Sequence, residues 1–268
     1  MVRDYHGVVP KTIPPGSSCD HEVLAVLLQV RAGSLAVLLW WRALAPDAGR
    51  WSLPGGALGE CEGLRDSISR QLAEKVDVRQ VSHLEQLDSR GEPDRVPGRR
   101  VVATGYLGLI PAGVDPVLPE DTRWYPGDRL PRMAFDHESI VAAGISRLRS
   151  KLSYTNLGFA LAPAEFTMSE LAGYYQAALG HEVDATNLQR ILLRRDQIEA
   201  TGETVRPGRA GGRPAAVFRF RAALLEVTDA FAVLHPPRPQ SRPGLSPSPG
   251  LSPSPGLSPS PGLSPSHG

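Results

Sequence analysis

Cysteine is scarce in this 268-residue chain: Cys19 and Cys61 are its only two copies, and they stand far apart. They form no metal-ligand or redox spacing, and so low a count fits a reducing compartment. Long hydrophobic runs are also lacking. The longest, near residues 23–30 and 35–41, fall far short of the roughly 20 residues a membrane span needs. The N-terminus has no basic-then-apolar signal pattern. Neither sign of charge dominates. Lys+Arg number 29 against 28 Asp+Glu, a net of +1, so total charge names no partner. What is there is ordinary globular protein, 41% hydrophobic and 21% charged. The length suggests about two domains. A soluble, cytoplasmic protein that does not enter a membrane is the expectation.

Residues 1–19 carry Pro10, Pro14, Pro15 and Gly16 without periodicity and read as an irregular arm. Glu22 to Val30 and Leu35 to Arg42 are apolar runs of strand length, joined by Arg31-Ala32-Gly33-Ser34. Unbroken runs of this kind suit strands buried on both faces, although periodicity alone leaves helix open. Pro54-Gly55-Gly56 is a loop signal. A helix is expected over about 63–76, where Leu64, Ile68, Leu72 and Val76 recur every fourth residue. Residues 88–98 are polar and turn-rich. Residues 99–110 are β-branched and strand-like. Residues 111–131 hold five prolines and read as a long loop. Residues 136–154 are helical, with Ile140, Ala143, Ile145, Leu148 and Leu152 on the apolar side. Arg147, Arg149 and Lys151 read there as a solvated surface.

The loop and helix around Gly56 resemble the Nudix box, G-x5-E-x7-R-E-U-x-E-E-x-G-U with U aliphatic. Gly56, Glu62, Arg70, Leu72, Glu74 and Val78 fall on motif positions without a gap. Three positions depart: Gln71 and Lys75 stand where helix glutamates belong, and Asp77 replaces a glycine. In Nudix hydrolases the helix glutamates hold divalent cations, which need anionic oxygen and activate water. Gln71 is neutral and Lys75 brings an ammonium. The expectation is a Nudix scaffold with no catalytic residues, no metal ligands and no required cofactor. Glu120 and Asp121 are the outside carboxylates that could restore a metal site.

A second pattern follows. Thr167-Met168-Ser169-Glu170 is a capping box, with Leu171, Tyr174, Tyr175 and Ala178 on the inner face of the helix it opens. Gly180 ends that helix, and Asp184 is an N-cap for the next. Two helices around a tight glycine-containing turn form a helix-turn-helix. At 100° per residue, Leu188, Ile191 and Leu192 point inward, while Thr186, Gln189, Arg190, Leu193 and Arg194 point outward. Residues 198–205 and 215–221 read as two strands flanking an arginine- and glycine-rich turn, the wing. Residues 186–221 hold eight arginines and three acids, a net of +5. Such a local patch is the footprint of a nucleic-acid binder. Thr186, Asn187, Gln189, Arg190, Arg194, Arg195, Arg206, Arg209 and Arg213 are the candidate DNA-binding residues.

The degenerate box joined to this winged helix-turn-helix resembles the Nudix-related transcriptional regulators of NAD metabolism. The likeness spans about residues 20–233 and includes Phe135-Asp136-His137, Lys151 through Thr155 and Gly212 through Ala215. It implies a Nudix-like α/β/α sandwich with a mixed sheet over 20–155, its connecting helix at 137–154. An α+β winged helix-turn-helix over 156–235 follows. It further implies a homodimeric repressor of NAD biosynthesis or salvage genes on a palindromic double-stranded operator. ADP-ribose or another NAD-derived metabolite is the implied effector, with Gly55, Gly56, Glu62, Arg70, Glu74 and Lys75 as its candidate site. The competing readings are an active Nudix pyrophosphatase with an appended nucleic-acid module, and a scaffold whose arginines bind an acidic protein. Residues 236–268 repeat Leu-Ser-Pro-Ser-Pro-Gly three times from Leu245 and read as a disordered tail.

Overall fold

The computed structural model describes residues 19–206 and 214–229. The N-terminal arm, wing residues 207–213 with Arg209 and Arg213, and the proline-rich tail lie outside the described residues. β1 (Asp20–Arg31) and β2 (Ser34–Arg42) form the hairpin that the two apolar runs predict. Short strands β3 (Arg50–Ser52) and β4 (Gly55–Ala57) flank Leu53-Pro54, and α1 (Leu64–Lys75) follows. Next come β5 (His83–Arg90), β6 (Val101–Leu109), β7 (Thr122–Pro126) and α2 (His137–Tyr154). The sheet runs β3-β2-β1-β6-β5, with β4 also on β1 and β7 also on β2. β1 and β6 are parallel and the other pairs antiparallel, so the sheet is mixed.

Alternation along β1 builds the layers. Val23, Ala25 and Leu27 pack with Ile68, Leu72 and Val76 on the α1 side. Leu24, Val26 and Leu28 face the other way, with Ile140, Leu148 and Leu152 of α2. A strand covered on both faces has no polar side to show, which is why its sequence is an unbroken apolar run. The result is an α/β/α sandwich.

Two strands lie where loops were expected. β5 takes in Asp88–Arg90 of the turn-rich segment. It is a sheet edge whose residues are mostly half-buried, so pairing with β6 defines it and hydrophobic alternation does not. β7 lies inside the proline-rich stretch. Thr122, Trp124 and Tyr125 are strand formers, and Pro126 closes the strand at the sheet margin. The cationic residues of α2 are not simply solvated either. Arg147 and Lys151 reach Glu85 of β5 at 3.5 and 2.5 Å, and Arg149 donates to the Ala178 carbonyl at 3.1 Å.

Beyond α2, a 3-10 turn at Leu157–Ala160 leads into β8 (Phe166–Thr167), α3 (Met168–Leu179) and α4 (Ala185–Arg194). β9 (Ile198–Val205) and β10 (Ala215–Phe220) complete a small antiparallel sheet of order β8-β10-β9. β8 is too short for any sequence periodicity. The capping box forms as expected: Thr167 accepts from the Glu170 amide at 3.3 Å, and the Glu170 carboxylate accepts from the Thr167 amide at 2.7 Å. Gly180 ends α3 at φ 79°, and Asp184 caps α4 by accepting from the Asn187 amide at 2.6 Å. This is a winged helix-turn-helix. Its core residues Phe166, Leu171, Tyr175, Leu188, Leu192, Ile198 and Phe218 continue the α2-side core of the sandwich without a break. The change in sequence pattern near residue 155 is therefore no break in packing.

The first residue of α2, His137, is buried, and its Nδ1 accepts the Leu53 amide at 3.1 Å. Burial lowers the imidazole from 6.5 to about 4. The unfolded chain thus takes this proton near pH 6.5 and the folded chain only near pH 4. Acidification between those values favours the unfolded state, by about 3 kcal/mol when complete. His137→Asn keeps an acceptor for Leu53 but no longer titrates. Urea unfolding at pH 7 and pH 4 should show the parent losing about 3 kcal/mol more than the variant. Equal losses would remove His137 from the account.

Candidate functional site

The cleft candidates gather where β1, β4 and α1 meet. Gly55 and Gly56 pair with Leu24 and Val23 of β1. A Cβ on Gly55 would run into the Val23 carbonyl, and one on Gly56 would lie 2.6 Å from the Gln71 amide. Close approach to the backbone of β1 therefore requires glycine at 55, whereas at 56 a larger residue would displace the Gln71 side chain. Gln71 is buried and donates to the Ala57 carbonyl at 3.2 Å, while its Oε1 has no partner among the described residues. Asp77 explains its own departure from the box. It sits just past α1 at φ 50°, the left-handed conformation that glycine takes freely and aspartate tolerates.

Glu62, Arg70 and Glu74 form a closed set. Arg70 donates to Glu62 at 2.5 and 2.9 Å and to Glu74 at 3.1 Å, and Glu62 also accepts the Gly59 amide at 2.7 Å. Hydrogen bonding from Arg70, then from Gly59, holds Glu62 down at about 2. Bonds from the two carboxylates raise Arg70 in turn. These three residues brace the loop onto the helix, and the guanidinium is already occupied.

Lys75 is placed differently. Its ammonium donates to the Gly55 carbonyl at 2.6 Å and lies 5.1 Å from the Trp40 ring centroid. Among the described residues no carboxylate reaches it within 4 Å. Burial, then the neighbouring Arg42, holds its pKa below the usual lysine value. Asp121 is engaged beneath: Trp40 Nε1 donates to it at 2.8 Å, so it steadies the ring under Lys75. Glu120 is exposed. Among the described residues no cluster of three His, Cys, Asp or Glu side chains could hold a metal ion. Trp40 and Arg42 come to the site from β2, where no spacing rule pointed to them, and Asp121, one of the two outside carboxylates, comes from the turn before β7.

On α4, Thr186, Asn187, Arg190 and Arg194 are exposed and Gln189 is half-buried. Arg190 donates to Asn187 Oδ1 at 2.8 Å, so the two side chains present a joined edge. Arg206 is exposed at the end of β9. Arg195 is set apart from these. It donates to the Ser153 carbonyl at 2.8 Å and to Asp229 at 2.6 Å, clasping the end of α4 to the end of α2. Arg219 and Arg221 pair with Glu199, and Arg221 also pairs with Asp196. Three of the eight arginines in the patch are thus committed within the fold.

α2 connects the two sites. Its start is held beside the glycine loop, by His137 to Leu53 and by Asp136 to Arg95 at 2.7 and 3.2 Å. Its end is held to the segment after α4. Gln197 donates to the Thr155 carbonyl at 3.3 Å, and the Thr228 amide donates to the Tyr154 carbonyl at 2.9 Å.

Comparison with known proteins agrees with both halves. Residues 21–143 match the NUDIX domain family, and residues 158–220 match the NrtR DNA-binding winged helix domain. The ADPR responsive transcriptional repressor NtrR of Acinetobacter baylyi is 33% identical over 203 residues, covering 72% of this chain and 79% of that protein. The chain belongs to the NrtR family. Shewanella oneidensis NrtR, solved with a 27mer DNA, is 32% identical at a TM-score of 0.63, covering 75% of this chain and 93% of that one. A MutT/nudix family protein from Enterococcus faecalis shares the fold at 24% identity and TM-score 0.64, over 77% and 90% of the two chains.

Within this NrtR-family chain, adjacent arginines of one helix should behave differently. Arg195→Ala breaks partly buried charge-assisted bonds and should cost about 1–2 kcal/mol, discounted for residual exposure. Arg194→Ala should stay within about 0.5 kcal/mol of the parent, as an exposed substitution does. Urea unfolding of both variants reads the difference, and an equally neutral Arg195→Ala would refute the clasp.

Proposed function

We propose that this chain is a DNA-binding repressor of NAD biosynthesis or salvage genes, acting as a homodimer on a palindromic operator. In this reading its Nudix domain binds ADP-ribose or a related NAD-derived metabolite and does not hydrolyse it. The observation that carries the second half is Lys75, whose ammonium occupies the Gly55 carbonyl at the box position of a metal-binding glutamate. Hydrolysis by this fold needs an activated water at a hard cation. Here one glutamate position is neutral, one is cationic, and Glu74 is shared with Arg70. The first half is supported by the exposed Thr186, Asn187, Arg190 and Arg194 on the second helix of a helix-turn-helix, the element that enters a major groove. It is also supported by two relatives, one described as an ADPR responsive repressor and one solved with DNA.

Gly55, Gly56 and Lys75 are the residues of the cleft assigned to the metabolite, while Glu62, Arg70 and Glu74 shape it. Thr186, Asn187, Gln189, Arg190 and Arg194 are assigned to bases or phosphates of the groove. Arg206, with Arg209 and Arg213 from the sequence, is assigned to the flanking backbone. Arg195 supports the helix that carries them.

Two measurements test these assignments. Purified protein given ADP-ribose, NAD or nucleoside triphosphates with magnesium or manganese should show no turnover. A rate within the ordinary enzyme range of about 1–1000 per second would overturn the sensor reading. In DNA titrations at several salt concentrations, Arg190→Ala should lose about 1–3 kcal/mol on the operator and relax sequence preference. Arg206→Ala should weaken binding to all sequences and lower the salt slope by about one. Parent-like binding by both variants would show that this face does not meet DNA.

A further inference from the structure

The Nudix fold implies a divalent cation between protein and pyrophosphate, and this cleft does not fit one. Hard cations need several oxygen ligands, carboxylates foremost, with backbone carbonyls as supplements. Gln71 has its amide turned toward Ala57, and its free oxygen is buried below Gly56. Glu62 and Glu74 are both bonded to Arg70. Asp121 is bonded to Trp40. The Gly55 carbonyl already accepts from Lys75 at 2.6 Å.

We propose that the Lys75 ammonium, held between the Gly55 carbonyl and the Trp40 ring, replaces the divalent cation and recognises the pyrophosphate of the ligand without metal. The inference rests on the reading that this cleft takes an ADP-ribose-like compound. An ammonium has three donors. One goes to Gly55, which leaves two for phosphate oxygens, and a lysine binds phosphate as a point charge. The aromatic face fixes the position of the charge at low cost, because a cation over an indole ring is attracted by its quadrupole. Among the described residues no carboxylate lies within ion-pair distance to compete for it. Of the other charged groups around the lysine, Glu22 is held by Arg95, Glu74 by Arg70, and the Arg42 guanidinium lies 4.9 Å from the Phe135 ring. Lys75 thus puts a positive charge at the box position where a catalytic Nudix helix has a carboxylate, which suits an anion that brings no metal with it.

The test is calorimetric titration of the full chain with ADP-ribose and, separately, with inorganic pyrophosphate, each in EDTA and in excess magnesium. The parent should bind ADP-ribose with dissociation constants in the two buffers that agree within about threefold. Lys75→Met should weaken binding of both compounds in EDTA by about tenfold or more. Lys75→Arg keeps a cation and should retain most of the EDTA affinity, and thermal melts establish that both variants fold. Magnesium tightening the parent by about tenfold would overturn the proposal, as would parent-like binding by Lys75→Met. If pyrophosphate binds in EDTA and is lost in Lys75→Met while ADP-ribose does not bind, the cation assignment stands and the effector assignment falls. If neither compound binds in either buffer, both fall.

Discussion

Arg95 holds Glu22 of β1 and Asp136 at the start of α2 in one ionic clamp, with contacts of 2.6 and 2.7 Å and only 1% of its side chain exposed. Burial alone would disfavour the charged guanidinium, yet its bonds to Asp136 and Glu22 raise its pKa. The two carboxylates keep about a quarter of their surface in water, so the desolvation cost falls mainly on one group. That asymmetry makes the arrangement tolerable, since a fully buried ion pair often fails to recover its desolvation. The clamp has a geometric consequence. It ties the loop before β6 to the strand behind the glycine cleft and to the helix that leads out of the domain. Phe135, at φ 49° with its amide held by Asp47 at 2.8 Å, sets the entry angle of that helix.

In the proposed function the cleft has lost the hydrolase reaction and kept its shape. Gly55, Gly56, Glu62 and Arg70 answer to backbone geometry and to the brace between loop and helix. They persist for reasons unrelated to metal binding. Gln71 and Lys75 occupy the volume of the glutamates they replace but change the electrostatics. Gln71 fills space beneath Gly56 that a charged carboxylate could occupy only with a cation beside it. In the proposed reading, Lys75 supplies positive charge in the place of an ion. Shape is set by packing, chemistry by a few charges, and the two can change separately.

The sandwich and the helix-turn-helix were legible because their signals are local. β1 and β2 are unbroken apolar runs, α1 repeats at four residues, and Thr167, Gly180 and Asp184 mark helix ends by their own chemistry. β5, β7 and β8 were not, because each is strand by virtue of its neighbour. The cleft was half visible. Its loop and helix lie in one contiguous motif, so Lys75 could be placed from spacing. Trp40, Arg42 and Asp121 come to it through the β2–β7 pairing, which no pattern in the sequence announces. The arginine patch was over-read for a similar reason. Charge counted along a chain does not reveal which side chains turn back, and Arg195, Arg219 and Arg221 do.

A ligand shifts a DNA-binding equilibrium only by the difference in its affinity for two arrangements of the protein, typically 1–3 kcal/mol of coupling. The fold limits what those arrangements can be. The winged helix shares one core with the sandwich, and a close-packed interior does not deform continuously. The end of α4 and the segment after β10 are bonded to the end of α2, through Arg195 and Gln197 on one side and Thr228 on the other. None of these bonds uses Thr186, Asn187, Arg190 or Arg194, the exposed polar side chains of α4. At the other end, the bonds of α2 run to Leu53 and Arg95, beside Gly55 and Glu22. In the proposed function, a shift at the glycine loop on phosphate binding acts on a helix anchored at both ends and is carried towards α4. In the proposed function such movement alters the spacing between the recognition helices of two protomers, a quantity that an operator with fixed half-site separation reads directly.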